Sequence, residues 1–209
     1  VGCGSSKVHG LFLICVEYLY FGMNVSWIIG LTGLARCGKD TFCGYATEKL
    51  RHHKIESQRL AFADELKGDV DSFLKKKLGI SAFTEKTSEK EIVRPMLTCW
   101  GTDIMRKLDD LHWVKKVEER VNENKKNKVV SIITDVRFPN EIEYVQKLGG
   151  KVIHLTLEGT KPANDYEREN DPLLRKGADI LVEWKKYGPD ELHKCVGHVT
   201  AALDELFEN

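Results

Sequence analysis

The segment SWIIGLTGLARCGKDTFCGYATEKL, residues 26–50, decides the fold. Its apolar, β-branched start predicts a buried strand, and the glycine-rich part GLARCGKDT predicts a turn. Apolar side chains then recur at helical spacing from Phe42 to Leu50. The segment therefore predicts a strand, a turn and a helix, in that order.

Gly33, Gly38 and Lys39 have the G-x4-G-K spacing of a phosphate-binding loop. In such a loop the glycines let backbone N–H groups converge on phosphate oxygens, and the lysine reaches the β and γ phosphates. The hydroxyl residue expected after the lysine is replaced by Asp40, and Thr41 follows it. The spacing alone is a weak signal, but the strand before it and the helix after it are the context that this loop requires. The alternative is an ordinary glycine-rich turn between a strand and a helix.

Length and charge limit the function classes. A chain of 209 residues can bury one sizeable core, with an inserted lid or helical segment. Its 32 basic and 32 acidic side chains cancel, so no overall field would draw it to nucleic acid or to an anionic membrane. We therefore expect any anionic ligand to be held by local groups.

The six cysteines form no C-x-x-C pair and no cluster with zinc-ligand spacing. This pattern favours free thiols in a reducing compartment, such as the cytoplasm. Cys37 lies inside the predicted phosphate loop, where Lys39 and a helix N-terminus could lower the pKa of its thiol. The alternative is that Cys37 only fills the loop.

Residues 1–22 do not resemble the rest of the chain. Their apolar run, LFLICVEYLYFG, is too short to span a bilayer and contains an acidic residue. Gly2 and Cys3 would fit an acylation signal if the first residue stood for an initiator methionine. Because Met23 is a more natural start, we predict that residues 1–22 are an extension outside the fold and that residues 23–209 form one domain.

Four further apolar segments predict strands, over residues 57–62, 129–134, 151–157 and 178–184. Helical patterns separate them, which indicates a parallel sheet with helices on both faces. Because ligands of open α/β sheets bind at the carboxyl ends of the strands, the residues that follow these segments are candidates for the site.

Polar residues follow two of these predicted strands. Asp64 and Lys67 come after the second strand, and Asp135 and Arg137 come after the third. An acidic residue in this position can orient magnesium or its water shell in an enzyme that transfers phosphate. Glu141 could either contact a ligand or support the start of the next helix.

The segment from residue 91 to residue 106 carries Arg94, Trp100 and Arg106. A planar base can stack on Trp100 while an arginine binds a phosphate with two parallel hydrogen bonds. The alternative is a core tryptophan with solvated arginines.

Residues 158–177, EGTKPANDYERENDPLLRKG, predict a surface lid loop that closes over bound phosphates. The segment contains two prolines and nine charged residues and shows no clear apolar period. Arg168 and Arg175 are candidate phosphate ligands, and plain surface charges are the alternative for both.

Five motifs occur in the order found in the deoxynucleoside monophosphate kinase family of phages and related elements: GLARCGKDT, RLAFADELK, RPMLTCWGTDIMR, ITDVRFPNE and GADILVEWKKYGPDEL. The chain resembles this family over most of residues 23–206. The aspartate after the loop lysine is a feature of the group, and D-V-R-F-P-N-E is the most specific motif. The resemblance implies an α/β P-loop kinase fold with a five-stranded parallel sheet, helices on both faces, a helical substrate-binding segment and a lid loop.

The resemblance also implies a reaction, transfer of the γ-phosphoryl group of ATP to a deoxynucleoside 5′-monophosphate with Mg²⁺. The implied donor site consists of Gly33, Cys37, Gly38, Lys39, Asp40 and Thr41, with Asp40 and Thr41 serving the magnesium ion. The implied acceptor site consists of Asp64, Lys67, Arg94, Trp100, Arg106 and Arg137. The implied catalytic residues are Lys39, Asp135 and Arg137. A His–Ser–Glu-like lid element of the family is missing, and only Glu167 stands at a comparable place.

Two other functions stay open. Animal-type phosphomevalonate kinases resemble the chain in the GKD motif, in an L-K helix and in a D-x-R segment, which would make an isoprenoid phosphate the acceptor. A regulatory module that binds ATP is the second, although a pure sensor needs no second phosphate site. The expected partners are small molecules, without nucleic acid or membrane, and a homodimer is open.

Overall fold

The computed structural model describes residues 27–208, and its centre is one parallel sheet. The strands are β1 (Ile28–Thr32), β2 (Glu56–Leu60), β3 (Val129–Ile133), β4 (Lys151–Leu157) and β5 (Ile180–Trp184). They lie in the order β2-β3-β1-β4-β5, and every neighbouring pair is parallel. The predicted five-stranded α/β fold is thus confirmed, whereas the predicted extension over residues 1–22 lies outside the described residues.

Helices cover both faces of the sheet, as the sequence predicts. They are α1 (Lys39–His52), α2 (Phe62–Leu78), α3 (Thr87–Thr98), α4 (Arg106–Leu108), α5 (His112–Lys126), α6 (Pro139–Lys147), α7 (Asp165–Gly177) and α8 (Leu192–Glu208). A π-helical segment, Cys99–Met105, joins α3 to α4, and a 3-10 turn, Pro189–Glu191, precedes α8. No helix within residues 27–208 is long and apolar enough to cross a membrane.

Two apolar clusters hold the layers together. On one face, Phe42 of α1 and Leu203 of α8 pack against the sheet, and on the other face Val117 of α5 and Ile142 of α6 do so. All five residues of β1 are buried. Burial on both faces explains why the strand at the centre of the sheet has a continuous apolar sequence.

The site lies where the strands end. β1 lies between β3 and β4, so the chain leaves this central strand at the point where the strand order reverses, which is where open α/β sheets bind ligands. The segments that follow β1, β2, β3 and β4 all leave this carboxyl edge of the sheet. A hydrogen bond of 3.2 Å from the Val136 N–H group to the Leu31 carbonyl oxygen ties the segment after β3 to β1.

Two predicted loops are partly helical. The polar and charged residues 82–92 predict a mobile connection to the next helix, but this connection ends earlier, because α3 begins at Thr87. Most of the predicted lid loop is helix α7, whose first turn is capped by Asn164: its Oδ1 accepts a hydrogen bond of 2.8 Å from the Glu167 N–H group. This cap and the burial of Leu174 stabilise helix α7 where the sequence predicts a loop.

Candidate active site

The loop between β1 and α1, residues 33–38, has a backbone that requires its two glycines. Gly33 has φ +127°, and a Cβ there would lie 2.3 Å from the Leu155 carbonyl oxygen. Gly38 has φ +98°, and a Cβ there would lie 2.5 Å from the Trp184 ring. Only glycine combines these conformations with such close contacts. The loop leads directly into the first turn of α1, where backbone N–H groups have no helical partner and can bind an anion.

Lys39, the first residue of α1, folds back over this loop. Its Nζ lies 2.8 Å from the Gly33 carbonyl oxygen, 2.7 Å from the Leu34 carbonyl oxygen and 3.6 Å from the Cys37 sulfur. These acceptors are neutral, and hydrogen bonds between an ammonium group and an anionic phosphate are stronger. The lysine is therefore placed to exchange loop carbonyls for phosphate oxygens.

Cys37 belongs to the core and is 1% exposed. Burial raises the pKa of its thiol, and this effect outweighs the opposing effect of the nearby Lys39. The interpretation of Cys37 as a thiol with a lowered pKa is therefore wrong. Its side chain fills the base of the phosphate loop.

Trp184, at the end of β5, supports the phosphate loop and was not found from the sequence. Its Nε1 donates a buried hydrogen bond of 2.8 Å to the Cys37 carbonyl oxygen across 147 residues of sequence. The same ring occupies the space beside Gly38. The one signal in the sequence is an aromatic residue at the end of a predicted strand, and nothing there connects it to the loop.

We expect Trp184→Phe to lower the free energy of unfolding by about 1–3 kcal/mol, because a buried carbonyl that loses its donor costs about that amount. The phenyl ring keeps most of the packing, so the protein should stay folded. Urea unfolding of the variant would check this result. Trp27→Phe, a partly buried tryptophan against the same cluster, is the matched control, and an unchanged unfolding free energy in Trp184→Phe would contradict the supporting role.

Asp135 caps helix α2. Its Oδ1 accepts a hydrogen bond of 2.9 Å from the Phe62 N–H group, and its Oδ2 accepts one of 2.8 Å from the Ala63 N–H group. Burial raises the pKa of this carboxyl group, against the effects of the two N–H donors and of Arg137. Each oxygen keeps a further lone pair, so Asp135 can hold α2 in place and still accept a hydrogen bond from a ligand or water.

A cavity of about 500 Å³ lies over the phosphate loop and is called the donor cavity below. Its lining includes the basic residues Arg36, Lys39, Arg59, Lys67 and Arg137 and the acidic residues Asp40, Asp64 and Asp135. Such a mixture of charges suits a polyphosphate bound together with a cation.

The oxygen atoms of Asp40 and Thr41 are suitable ligands for a magnesium ion. Asp40 and Thr41 are exposed in the first turn of α1 and line the donor cavity. Magnesium takes hard oxygen ligands, commonly one or two carboxylates together with substrate phosphates and waters. No group of three or more His, Cys, Asp or Glu side chains within residues 27–208 forms a metal site in advance. Phosphate oxygens would therefore have to complete the coordination shell.

A second cavity, of about 390 Å³, is called the acceptor cavity. It lies between the end of β3 and the segment formed by α3 and the π-helical residues that follow it. Its apolar side includes Leu66, Val93, Leu97 and Trp113, and its charged side includes Lys67, Arg94, Arg106, Asp135, Arg137 and Glu141. Lys67, Asp135 and Arg137 also line the donor cavity. The two cavities therefore meet at two cations and a carboxylate.

Arg106 lines the acceptor cavity, but its guanidinium group is already paired. It forms a buried ion pair with Glu141, donates a hydrogen bond to the Asp110 carbonyl oxygen and lies 3.6 Å from the centre of the Phe138 ring. Glu141 also accepts the N–H groups of Arg137 and Phe138 at 2.6 and 3.1 Å. The sequence predicts that Glu141 either contacts a ligand or supports the start of the next helix. Its contacts correspond to the second role, support for the start of α6.

Trp100 does not line the acceptor cavity. It packs against the core and against a small cluster between α2 and α3, and its buried Nε1 has no hydrogen-bond partner in the described part of the chain. Trp113 lines the cavity instead and donates a hydrogen bond of 3.0 Å to the Gly101 carbonyl oxygen. The prediction that a base stacks on Trp100 is therefore corrected. The position of Trp100 matches the alternative prediction, that of a tryptophan packed against the core. Arg94 is exposed and lines the cavity, as that prediction requires.

Asp64 holds two cations at the boundary of the cavities. Its Oδ2 lies 2.9 Å from Nη1 of Arg59, and its Oδ1 lies 3.6 Å from Nζ of Lys67. Asp64 therefore orients basic groups in this structure. Arg59, on β2, was not found from the sequence, because an arginine on a polar strand carries no signal of a site.

The two lid arginines pair with other parts of the protein. Arg168 lies 2.6 Å from Asp165, and Arg175 binds the Thr156 hydroxyl group at 2.8 Å and Glu183 at 2.5 Å. Neither arginine lines the donor or the acceptor cavity. These contacts agree with the alternative interpretation, in which both arginines are plain surface charges.

Comparison with known proteins gives one family. A family profile described as deoxynucleotide monophosphate kinase matches residues 50–186. No curated protein matches at a significant level.

Solved structures that match the chain include TT1252 from Thermus thermophilus, with 14% identity over 84% of this chain and 97% of that one and a TM-score of 0.46. A shikimate kinase from Bacteroides thetaiotaomicron has 13% identity over 85% of this chain and 98% of that one, with a TM-score of 0.40. The APS kinase from Mycobacterium tuberculosis in complex with AMPPNP and APS has 13% identity over 85% and 98%, with a TM-score of 0.36.

Proposed function

The chain belongs to the deoxynucleotide monophosphate kinase family, and from this premise we propose that it transfers the γ-phosphoryl group of ATP to a deoxynucleoside 5′-monophosphate. The observation that carries the proposal is the boundary between the donor and acceptor cavities. Lys67, Asp135 and Arg137 line both cavities, so a donor phosphate and an acceptor phosphate would meet among these groups.

On the donor side, the loop N–H groups and Lys39 would hold the β and γ phosphates. Phosphoryl transfer needs positioning and charge stabilisation more than a covalent catalyst. The short contacts of Lys39 with loop carbonyls keep its ammonium group next to the N-terminus of α1. Asp40 and Thr41 would hold Mg²⁺, which when bound neutralises phosphate charge.

On the acceptor side, Lys67, Arg94 and Arg137 would bind the monophosphate. The guanidinium group of Arg137 has no hydrogen-bond or ion-pair partner within residues 27–208, whereas its backbone is held on both sides. It can therefore neutralise charge on the transferring group without first breaking an ion pair. The base would lie against the apolar side of the acceptor cavity, near Trp113 and Leu97.

We also propose a cytoplasmic location. Among the described residues Cys37, Cys43, Cys99 and Cys195 are free thiols, which supports a reducing compartment.

The proposal is tested by acceptor-dependent release of ADP from ATP and Mg²⁺. We expect turnover with at least one of dTMP, dGMP, dCMP and dAMP and none with phosphomevalonate. Activity confined to phosphomevalonate would overturn the acceptor assignment, and ATP binding without turnover on any acceptor would favour the regulatory module. The Arg94→Ala variant should raise the KM for the nucleotide by about tenfold or more, since it removes a charge-assisted hydrogen bond to phosphate.

A further inference from the structure

The first turn of α7 contacts both sides of the proposed reaction centre. Oε2 of Glu167 accepts a hydrogen bond of 3.3 Å from the Ala35 N–H group in the phosphate loop. The hydroxyl group of the adjacent Tyr166 donates one of 3.3 Å to the Arg137 carbonyl oxygen. Two successive residues thus connect the phosphate loop to the segment that carries Arg137.

The backbone of Arg137 is held from two directions. Its N–H group donates to Glu141 of α6 at 2.6 Å, and its carbonyl group accepts from Tyr166 of α7. The Tyr166 ring also packs on Phe138, with 5.1 Å between ring centres. A fixed backbone with an unpaired guanidinium group is the arrangement of a preorganised binding residue.

Helix α7 is itself well anchored. His154 of β4 is 2% exposed, and its Nε2 lies 3.2 Å from Oδ1 of Asp171, one turn further along α7. Leu174 is buried in the core. The gap between the first turn of α7 and the phosphate loop is a small cavity of about 60 Å³. The first turn therefore lies on a fixed support, close against the loop.

We propose that Tyr166 and Glu167 form a brace that positions Arg137 relative to the phosphate loop. Both are positioning residues, since they act through Ala35 and Arg137. The effect that we expect the brace to have on turnover rests on the proposed function. Its physical basis is that a displacement of about 1 Å between groups that must meet in the transition state can cost a hundredfold in rate.

Each residue has a separate task. The Glu167 carboxylate accepts the N–H groups of Ala35 and Ala163, at 3.3 and 3.0 Å, so it joins the start of α7 to the loop. Tyr166 joins the same turn to Arg137. Loss of either contact frees Arg137 from the loop, and the consequence should be a lower rate of transfer with little change in the affinity for ATP.

The kinetic test uses Tyr166→Phe and Glu167→Met, which keep the approximate size of each side chain and remove its hydrogen-bonding group. We expect each variant to lower the single-turnover rate by about fivefold to tenfold, with the KM for ATP within about twofold of the parent value. Glu169→Met, at an exposed residue of the same helix, is the control with the same change of charge and should stay within about twofold.

A double-mutant cycle separates positioning from general destabilisation. If the brace acts through Arg137, each substitution should change the rate by less than about twofold in the Arg137→Ala background. The same fivefold to tenfold loss in that background would overturn the proposal, as would parental rates in both single variants. Tyr166→Phe alone decides the outcome if Glu167→Met does not fold.

Amide hydrogen exchange gives a readout that does not depend on activity. In Glu167→Met, which has no acceptor for the Ala35 N–H group, the peptides that contain Ala35 and Arg137 should both exchange faster than in the parent protein. Unchanged exchange in both peptides would overturn the brace even in an active enzyme. An inactive parent protein would contradict the proposed function, while the exchange result would still decide on the brace.

Discussion

Lys39→Ala is expected to lower kcat by about 1,000-fold or more, because an ammonium group aimed at a transferring phosphoryl group stabilises charge that grows in the transition state. In the structure this group lies within 2.8 Å of two carbonyl oxygens of the phosphate loop. No other lysine comes from the first turn of α1. ADP release with ATP, Mg²⁺ and the best acceptor of the panel measures the effect.

Lys49→Ala is the matched control, since Lys49 lies in the last turn of the same helix. We expect kcat of this variant to stay within about twofold of the parent value. Circular dichroism should show that both variants are folded. A folded Lys39→Ala protein with nearly unchanged turnover would refute the assignment of residues 33–39 as a catalytic phosphate loop.

The fold was predictable because its signals are local. β1 is buried on both faces, so its sequence is a continuous apolar run. The backbone conformation of the loop requires glycine at positions 33 and 38. The spacing of these two glycines can therefore be read directly from the sequence. The order of strands and helices then implies a parallel sheet.

The limits of the apolar stripes were not predictable. An apolar period over Leu108, Val114 and Val121, and a second one over Leu192, Val199 and Leu206, predict two buried helix faces. The later members are buried, but Leu108 is 78% exposed and Leu192 is 45% exposed. Periodicity shows which side of a helix can be buried, but not how far the neighbouring elements extend. Helix α7 shows a different case, since a cap at Asn164 and a buried Leu174 define a helix where the sequence predicts a loop.

The choice between two tryptophans shows why the acceptor site was harder. Trp100 lies in the π-helical segment Cys99–Met105, where the residues per turn differ from those of an α-helix. The sequence therefore does not show which way its ring points, and Trp113 rather than Trp100 lines the acceptor cavity. The contact from Trp184 to the loop could not be predicted either, because it joins residues 147 positions apart.

The second large effect is expected at Arg106, and it concerns stability. The Arg106 side chain is 11% exposed and Glu141 is 1% exposed, so their ion pair is removed from solvent. Arg106→Met would leave the Glu141 carboxylate buried without its cation. Breaking a buried pair in this way typically costs about 3–5 kcal/mol, and we expect the free energy of unfolding to fall by that amount near pH 8. Urea unfolding measures it.

A surface ion pair provides the control. Arg120 lies 3.3 Å from Glu65 and is 59% exposed. Arg120→Met should cost less than about 1 kcal/mol, since solvent screens exposed pairs. A similarly small loss in Arg106→Met, together with a raised KM for the nucleotide, would show that Arg106 binds the acceptor phosphate and that the pair with Glu141 is incidental.

The pH dependence gives the sharpest form of this prediction. Burial raises the pKa of Glu141 from an ordinary 4.5 to about 7, although Arg106 opposes the rise. Because the folded pKa is the higher one, the stability linked to this proton is fully present below the unfolded pKa and is lost as the pH rises through 7. Removal of Arg106 lets the pKa of Glu141 rise further, so the variant should lose more stability than the parent protein at high pH and regain most of it near pH 5, where Glu141 is protonated. A difference in unfolding free energy that does not change between about pH 5 and pH 8 would mean that the lost packing of the guanidinium group on Phe138, rather than the charge of Glu141, sets the cost.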